Sequence, residues 1–424
     1  MIEILILADD ITGALDTGVK FAVSGATVRV ATDLSYDFMK EISNTEVLVF
    51  NTETRHLPFQ EAYEIVFDIV RKAMIAGIPH IFKKTDSALR GNIGSELTAL
   101  LDASDEKMLP FIPAYPQMNR YTMDGIHYIS GIPVHLSEFG KDPFEPVKSS
   151  YIPNIIHDQN NIYTETVPIV KGKPFIYHDE SNKGIYIFDA RTENDLIRIT
   201  KNLNNQKRLR IMAGCAGLAS TLPKIFGLKG KRQIMPKLPP KFLMICGSIN
   251  QISRKQLDYA EKNGFRREHL SMEQKVEHKY FESESGKTSI EKMIAICKSN
   301  SRIIIDTGDS NTFDDTVLYA KEHDISVDDI RVNISDNLAL LTGKLLKAES
   351  DMTLMITGGD TLTGFLNGIG CNELIPIGEL EPGSVLSKFW REGKEFYVIS
   401  KSGGFGDKEL IVNLANTIVK DKER

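Results

Sequence analysis

The chain opens on a short apolar run, Ile2 to Ala8, which the polar turn Asp9-Asp10-Ile11-Thr12-Gly13 brings to an end. A run of that length without polar alternation reads as a strand buried on both faces. Ala14, Leu15, Val19, Phe21 and Ala22 then recur at helical spacing, so the predicted order is strand, polar loop, helix, the opening of an α/β unit. Further strands are predicted at Thr27–Thr32, Glu46–Asn51, His80–Lys84, Met108–Pro113, Gly184–Ala190 and Leu209–Ala213, with helical patterns such as Glu61–Ala76 between them. That alternation predicts a mostly parallel sheet.

Residues 114–183 break the rhythm with Pro, Gly, Tyr and His and little periodicity, as a functional insertion lying over a site would. Near 222–241 the chain turns rich in lysine and proline, which marks a domain boundary and predicts two α/β domains, 1–225 and 240–424. Beyond it four apolar runs each meet a polar turn. Phe242–Cys246 meets Gly247-Ser248-Ile249-Asn250, and Arg302–Asp306 meets Thr307-Gly308-Asp309-Ser310. Thr353–Ile356 meets Thr357-Gly358-Gly359-Asp360-Thr361, and Phe396–Ser400 meets Lys401-Ser402-Gly403-Gly404-Phe405-Gly406. In open parallel sheets such turns converge beyond the carboxyl ends of the strands, where ligands bind. The fold expected is therefore α/β, two domains with mostly parallel sheets and ligand sites at strand C-terminal ends facing an interdomain cleft.

Composition narrows the function. A length of 424 residues allows two or three domains, and a net charge of −6 gives no basic excess to hold a polyanion, so nucleic acid is not an expected partner. The four cysteines, Cys215, Cys246, Cys297 and Cys371, form no CxxC pair, and the histidines no HExxH, which argues against a disulfide framework or a zinc site and fits a reducing cytoplasm. The N-terminus lacks a basic region before its apolar run, unlike a signal peptide, and no apolar stretch approaches the roughly 20 residues a membrane helix needs. Trp390 stands alone and is expected in or near the core.

The chemistry sits in the turns. The Thr357–Thr361 turn places two glycines and hydroxyls between strand and helix, letting backbone N–H groups approach phosphate oxygens, although an ordinary capped turn fits it as well. The 401–406 turn adds a second glycine pair with an aromatic, Phe405, expected to be exposed and able to shield a base or its phosphates. No Walker A loop or GxGxxG is present. In the first domain Asp9, Asp10 and Asp16 crowd carboxylates around Thr12 and Gly13, and repel unless cations or bound hydroxyls offset them. Lys83-Lys84-Thr85-Asp86-Ser87-Ala88-Leu89-Arg90 mixes cations, a carboxylate and hydroxyls at one strand end. Arg90 can grip a carboxylate bidentately while Asp and Ser bond hydroxyls, which suits a small polyhydroxy acid, and a surface salt-bridge turn is the plainer alternative. Asn51-Thr52-Glu53-Thr54-Arg55 either faces the same crevice or is a solvated loop.

Taken in order, Leu7–Gly18, Lys84–Asn92, Thr357–Thr361, Gly378–Gly383 and Lys401–Gly406 resemble the signature stretches of the four-carbon acid sugar kinase family. The resemblance implies an acid-sugar-binding N-terminal domain, a nucleotide-binding C-terminal domain, and ATP-dependent phosphorylation of the terminal (4-) hydroxyl of threonate, erythronate or an oxo-tetronate, with Mg2+ bridging the phosphates. It implies substrate contacts at Asp9, Asp10, Thr12, Gly13, Asp16, Lys84, Asp86, Ser87 and Arg90. Nucleotide contacts are implied at Ser248, Thr357, Gly358, Gly359, Asp360, Thr361, Gly403 and Gly404. Asp86 or Asp10 would orient the attacking hydroxyl; no metal ligands are assigned. The segment Pro113-Ala114-Tyr115-Pro116 with Asn119-Arg120-Tyr121-Thr122 departs from the family's usual Pro-Ala-Phe-Pro and Gly-Arg-Thr pattern, which bears on the substrate. The expected partners are a small acid sugar and ATP, with a homo-oligomer compatible and neither nucleic acid nor membrane involved. The rival reading is a non-catalytic sensor that binds the same ligands without chemistry.

Overall fold

Each apolar run of the first half pairs in parallel with another. The computed structural model describes residues 2–34, 44–142, 145–169, 182–231, 233–248, 250–308 and 312–420. The chain divides into two compact units, Met1–Gln233 and Ile234–Arg424.

In the first unit the main-sheet strands are β1 (Ile4–Ala8), β2 (Val28–Ala31), β3 (Val47–Asn51), β4 (His80–Lys84) and β5 (Met108–Ile112). The strands β6 (Arg120–Met123), β7 (Ile126–Ile129) and β8 (Ile132–Pro133) form a separate small antiparallel sheet. The remaining main-sheet strands are β9 (Tyr163–Val167), β10 (Gly184–Phe188) and β11 (Ile211–Gly214). The main sheet runs β2-β3-β1-β4-β11-β5-β10-β9, all parallel. Every residue of β1 is buried, as an unbroken apolar run requires when both faces are covered. Leu5 and Leu7 pack in one core with Val66, Ile69, Val70 and Ala73 of the helix Phe59–Ile75, whose apolar stripe repeats at three and four residues. The register aligns Asn51, Ala8 and Lys84 in one row, with Gly214 beside Lys84. The turns after β1, β3 and β4 therefore leave the sheet side by side.

In the second unit the strands are β12 (Lys241–Cys246), β13 (Arg266–His269), β14 (Arg302–Asp306), β15 (Met352–Thr357), β16 (Glu373–Glu381), β17 (Ser384–Arg391) and β18 (Lys394–Lys401). The order β13-β14-β12-β15-β18 is parallel, and β17 and β16 extend it antiparallel. That antiparallel extension is an addition to the parallel pattern read from the sequence; its turns use positive φ at Gly383 and at Glu392-Gly393. The register again forms a row, Asp306, Cys246, Thr357 and Lys401, and sets four turns abreast.

Two expectations are corrected here. Trp390 is 47% exposed, lying on an outward position of β17 with Lys388 over its ring at 5.2 Å. Phe405 is buried, not exposed: a Cβ on Gly383 would meet its ring at 2.5 Å, so the turn after β16 closes over it. Ile249, Asp309, Ser310 and part of the 114–183 insertion lie outside the described residues. The four cysteines are buried. No described helix is long and apolar enough to cross a membrane.

Candidate active site

The adjacent aspartates after β1 are reconciled by one arginine. Arg55, in the loop after β3, donates from Nε to Asp9 Oδ2 at 2.7 Å and from Nη2 to Asp10 Oδ1 at 2.8 Å, with all three side chains largely buried. Asp10 also caps the helix Ile11–Ala22, accepting from Gly13 N at 2.9 Å and from Thr12 Oγ1 at 2.6 Å. Burial alone would raise the Asp10 carboxyl, but Arg55 and Lys84 outweigh it and hold it at about 2. Gly13 leaves room for this: a Cβ there would sit 2.6 Å from Asp10 Oδ1 and 2.7 Å from Lys84 Nζ.

Asp86, in the turn after β4, receives Arg90 Nε at 2.8 Å and Nη2 at 3.3 Å, and Arg90 Nη1 reaches Asp142 at 3.3 Å. Burial raises Asp86, yet Arg90 and then Arg55 override it and keep the carboxyl well below its usual range. Ser87 Oγ accepts from the buried Arg120, whose guanidinium stacks on Phe139 at 5.1 Å. His127 bonds Ser87 O at 2.9 Å, and burial foremost holds its pKa at about 4, so the ring is neutral. Asp16 pairs with Lys20 at 3.9 Å. It lies near the buried Cys215 thiol, which burial pushes to about 11 while Lys84 and Arg120 pull the other way. The arrangement gathers carboxylates that accept hydroxyl donors and cations that face an acid.

The loop carrying Arg55 is itself braced. Asn92 Nδ2 donates to Thr54 O at 2.7 Å and Leu57 O at 2.8 Å, and Thr54 Oγ1 donates to Glu96. Glu96 and Lys83, both essentially without exposure, pair at 3.0 Å.

In the second unit the glycine turns converge. A Cβ on Gly247 would lie 2.2 Å from Thr361 Oγ1, and one on Gly403 would lie 2.8 Å from Ser248 Oγ. Gly358 has φ +107°, a conformation that favours glycine, and its Cβ position is 3.7 Å from Ser248 N. No side chain caps the helix Gly359–Gly368, so the amides of Gly359, Asp360 and Thr361 stand at an uncapped N-terminus. The buried Thr357 Oγ1 has no hydrogen-bond partner among the described residues. Gly404 joins the group, its Cβ position 3.8 Å from Asn250 Nδ2. The turns thus bring uncapped backbone amides and hydroxyls close together at the ends of β12, β15 and β18.

Residues 4–222 match the family model described as a sugar-binding N-terminal domain, and residues 243–411 the one described as a nucleotide-binding C-terminal domain. The chain is 28% identical over 420 residues to the D-threonate kinase of Salmonella typhimurium, covering 96% of each. It is 29% identical to the D-erythronate kinase of Heliobacterium modesticaldum over 62% of this chain and 61% of that one. The chain belongs to the four-carbon acid sugar kinase family. Another family relative, the 3-oxo-tetronate kinase of Escherichia coli, is 24% identical over 61% of this chain and 69% of its own length. The fold is shared with crystal structures of a Salmonella typhimurium protein (TM-score 0.78, 18% identity, 98% and 99% coverage) and a Haemophilus influenzae protein (TM-score 0.66, 20% identity, 98% and 100% coverage).

Within this four-carbon acid sugar kinase the structure draws Asp9, Asp10, Thr12, Gly13, Lys84, Asp86, Ser87 and Arg90 into one cluster. It adds Arg55 and Arg120, neither of which local spacing singles out. Arg55 follows a strand as ordinary loops do, and the signal for Arg120 was only its place in an irregular segment next to Tyr115-Pro116.

Proposed function

We propose that this chain transfers the γ-phosphoryl group of ATP to the terminal hydroxyl of a four-carbon sugar acid. The observation that carries the reading is the paired-charge cluster at the ends of β1, β3 and β4, where Asp10 and Asp86 are buried as carboxylates beside Arg55, Lys84 and Arg90. Carboxylates of that kind accept hydrogen bonds from hydroxyls, and arginines grip an acid group bidentately. The acid sugar is assigned to residues 1–225 and the nucleotide to residues 240–424, on Ser248, Thr357–Thr361, Gly403 and Gly404.

In the reaction the hydroxyl oxygen forms the new bond to the γ-phosphorus, the bond to the β-phosphate oxygen breaks, and ADP leaves. Transfer of this kind asks for positioning and charge stabilisation more than for a strong base. Asp10 and Asp86, held low, orient the hydroxyl as acceptors, and one of them takes its proton as the bond forms. The uncapped amides at Gly359–Thr361 and the Gly403-Gly404 peptides hold phosphate oxygens.

No group of three metal-ligating side chains occurs among the described residues. Asp360 is half-exposed at the first turn of its helix, with Arg331 at 3.8 Å. One such carboxylate fits Mg2+, which takes most of its ligands from phosphates and water. Bound there, the ion would neutralise phosphate charge.

The test is ADP release by the purified protein with ATP and Mg2+ against D- and L-threonate, D- and L-erythronate and 2- and 3-oxo-tetronates. Turnover with one or two names the substrate; nucleotide binding without turnover across the panel rejects these six acids as substrates and points to a shifted substrate or a sensor.

A further inference from the structure

Lys401 ends β18 with no exposure at all, and no carboxylate pairs with it among the described residues. Burial lowers its pKa to about 8. A fold gains nothing in stability from a lysine so placed, since an apolar side chain would fill the space without a buried charge. Its ammonium instead donates to Ser402 O at 3.0 Å and Gly403 O at 3.2 Å.

Two further buried side chains, both from the helix Gln251–Lys262, act on the same loop. Ser253 Oγ donates to Gly403 O at 2.9 Å. Gln256 Nε2 donates to Phe405 O at 3.0 Å, Gly406 O at 3.0 Å and Asp407 O at 2.9 Å. Of the carbonyls from 402 to 407, only that of Gly404 is outside this set. A peptide is planar and trans, so each carbonyl drawn to one side turns the following N–H to the other. Fixing Ser402 O and Gly403 O thus aims the Gly403 and Gly404 amides away from the three donors. Neither amide donates to an acceptor among the described residues.

The geometry points to Lys401, Ser253 and Gln256 as positioning residues of the nucleotide site, which hold the 402–407 loop by its carbonyls so that its glycine amides are preset for phosphate oxygens. This rests on the reading that the glycine turns bind nucleotide. Preset donors lose little ordering entropy when the anion arrives, so the clamp acts on nucleotide affinity without touching the ligand.

The experiment compares the full-length protein with Lys401→Met, Lys401→Arg and Ser253→Ala, reading calorimetric Kd for ADP with Mg2+ and amide exchange of the 402–407 peptide by mass spectrometry without nucleotide. Lys401→Met should weaken ADP at least tenfold and speed exchange in that peptide, while KM for the acid sugar stays within twofold. Lys401→Arg, which keeps donors for two carbonyls, should recover part of the loss, and Ser253→Ala should weaken ADP two- to fivefold. Should Lys401→Met fail to fold, Ser253→Ala carries the test by the same two readouts. A wild-type protein that binds ADP and variants that bind it within twofold, with unchanged exchange, would overturn the clamp and leave the nucleotide site standing. A wild-type protein that binds no ADP overturns both.

Discussion

Replacing Asp10 by Asn isolates one charge. Asn caps helices as well as Asp does, so the bond from Gly13 N and the start of the helix Ile11–Ala22 are kept. What is lost is the attraction of a carboxylate to Arg55 and Lys84. The fall of the Asp10 pKa from 3.8 to about 2, net of the burial that opposes it, puts the loss at about 2–3 kcal/mol. The sign follows from the direction. A carboxyl held low in the folded state contributes stability that is fully present above 3.8 and is lost as pH falls through about 2. Urea unfolding followed by far-UV circular dichroism should therefore show Asp10→Asn weaker by about 2–3 kcal/mol at pH 7, with the gap shrinking as pH is taken from about 4 towards 2. A loss below about 0.5 kcal/mol at pH 7, the range of ordinary surface substitutions, or one that does not shrink in acid, would show that the Asp10 charge does not hold this cluster together.

Lys83→Met should destabilise the first unit by about 3–5 kcal/mol, because it leaves the buried Glu96 without its partner at 3.0 Å. Burial already raises Glu96, and a group raised on folding loses its contribution as pH rises, so the deficit should grow between pH 5 and 8 in urea titrations; wild-type stability at pH 7 would reject the pair's role. Histidine-selective NMR should find one imidazole that stays neutral down to about 4 and disappears in His127→Gln, whereas titration of that ring near 6.5 would contradict its burial.

Legibility in the sequence followed locality. β1 and β4 and their turns could be read because a buried strand, a polar break and a helical stripe fall within a few residues of one another. Asp9, Asp10, Asp86 and Arg90 were visible for the same reason. Arg55 was not separable from a solvated loop, since its role depends on Ala8 pairing with Asn51, a parallel register between residues more than forty apart in sequence. Arg120 reaches Ser87 from a hairpin with no periodic signal. Phe405 read as exposed because glycines surround it, whereas the missing side chain of Gly383 is what gives the ring its place. Lys401 carries no sequence signal beyond its place at the head of the 401–406 turn; only tertiary structure shows it spending its donors on carbonyls.

The charges of the first unit's cluster balance within the protein: Asp9, Asp10, Asp86 and Asp142 stand against Arg55, Lys84, Arg90 and Arg120. Such a set projects little field into solvent, so an approaching acid is not steered from afar and its association rate should vary little with ionic strength. On the proposed reading, capture is an exchange at close range, in which a carboxylate that reaches Arg55 or Arg90 competes with the aspartates already seated there. Selectivity then rests on the difference between two ion pairs, which favours ligands whose hydroxyls also engage the aspartate that is displaced.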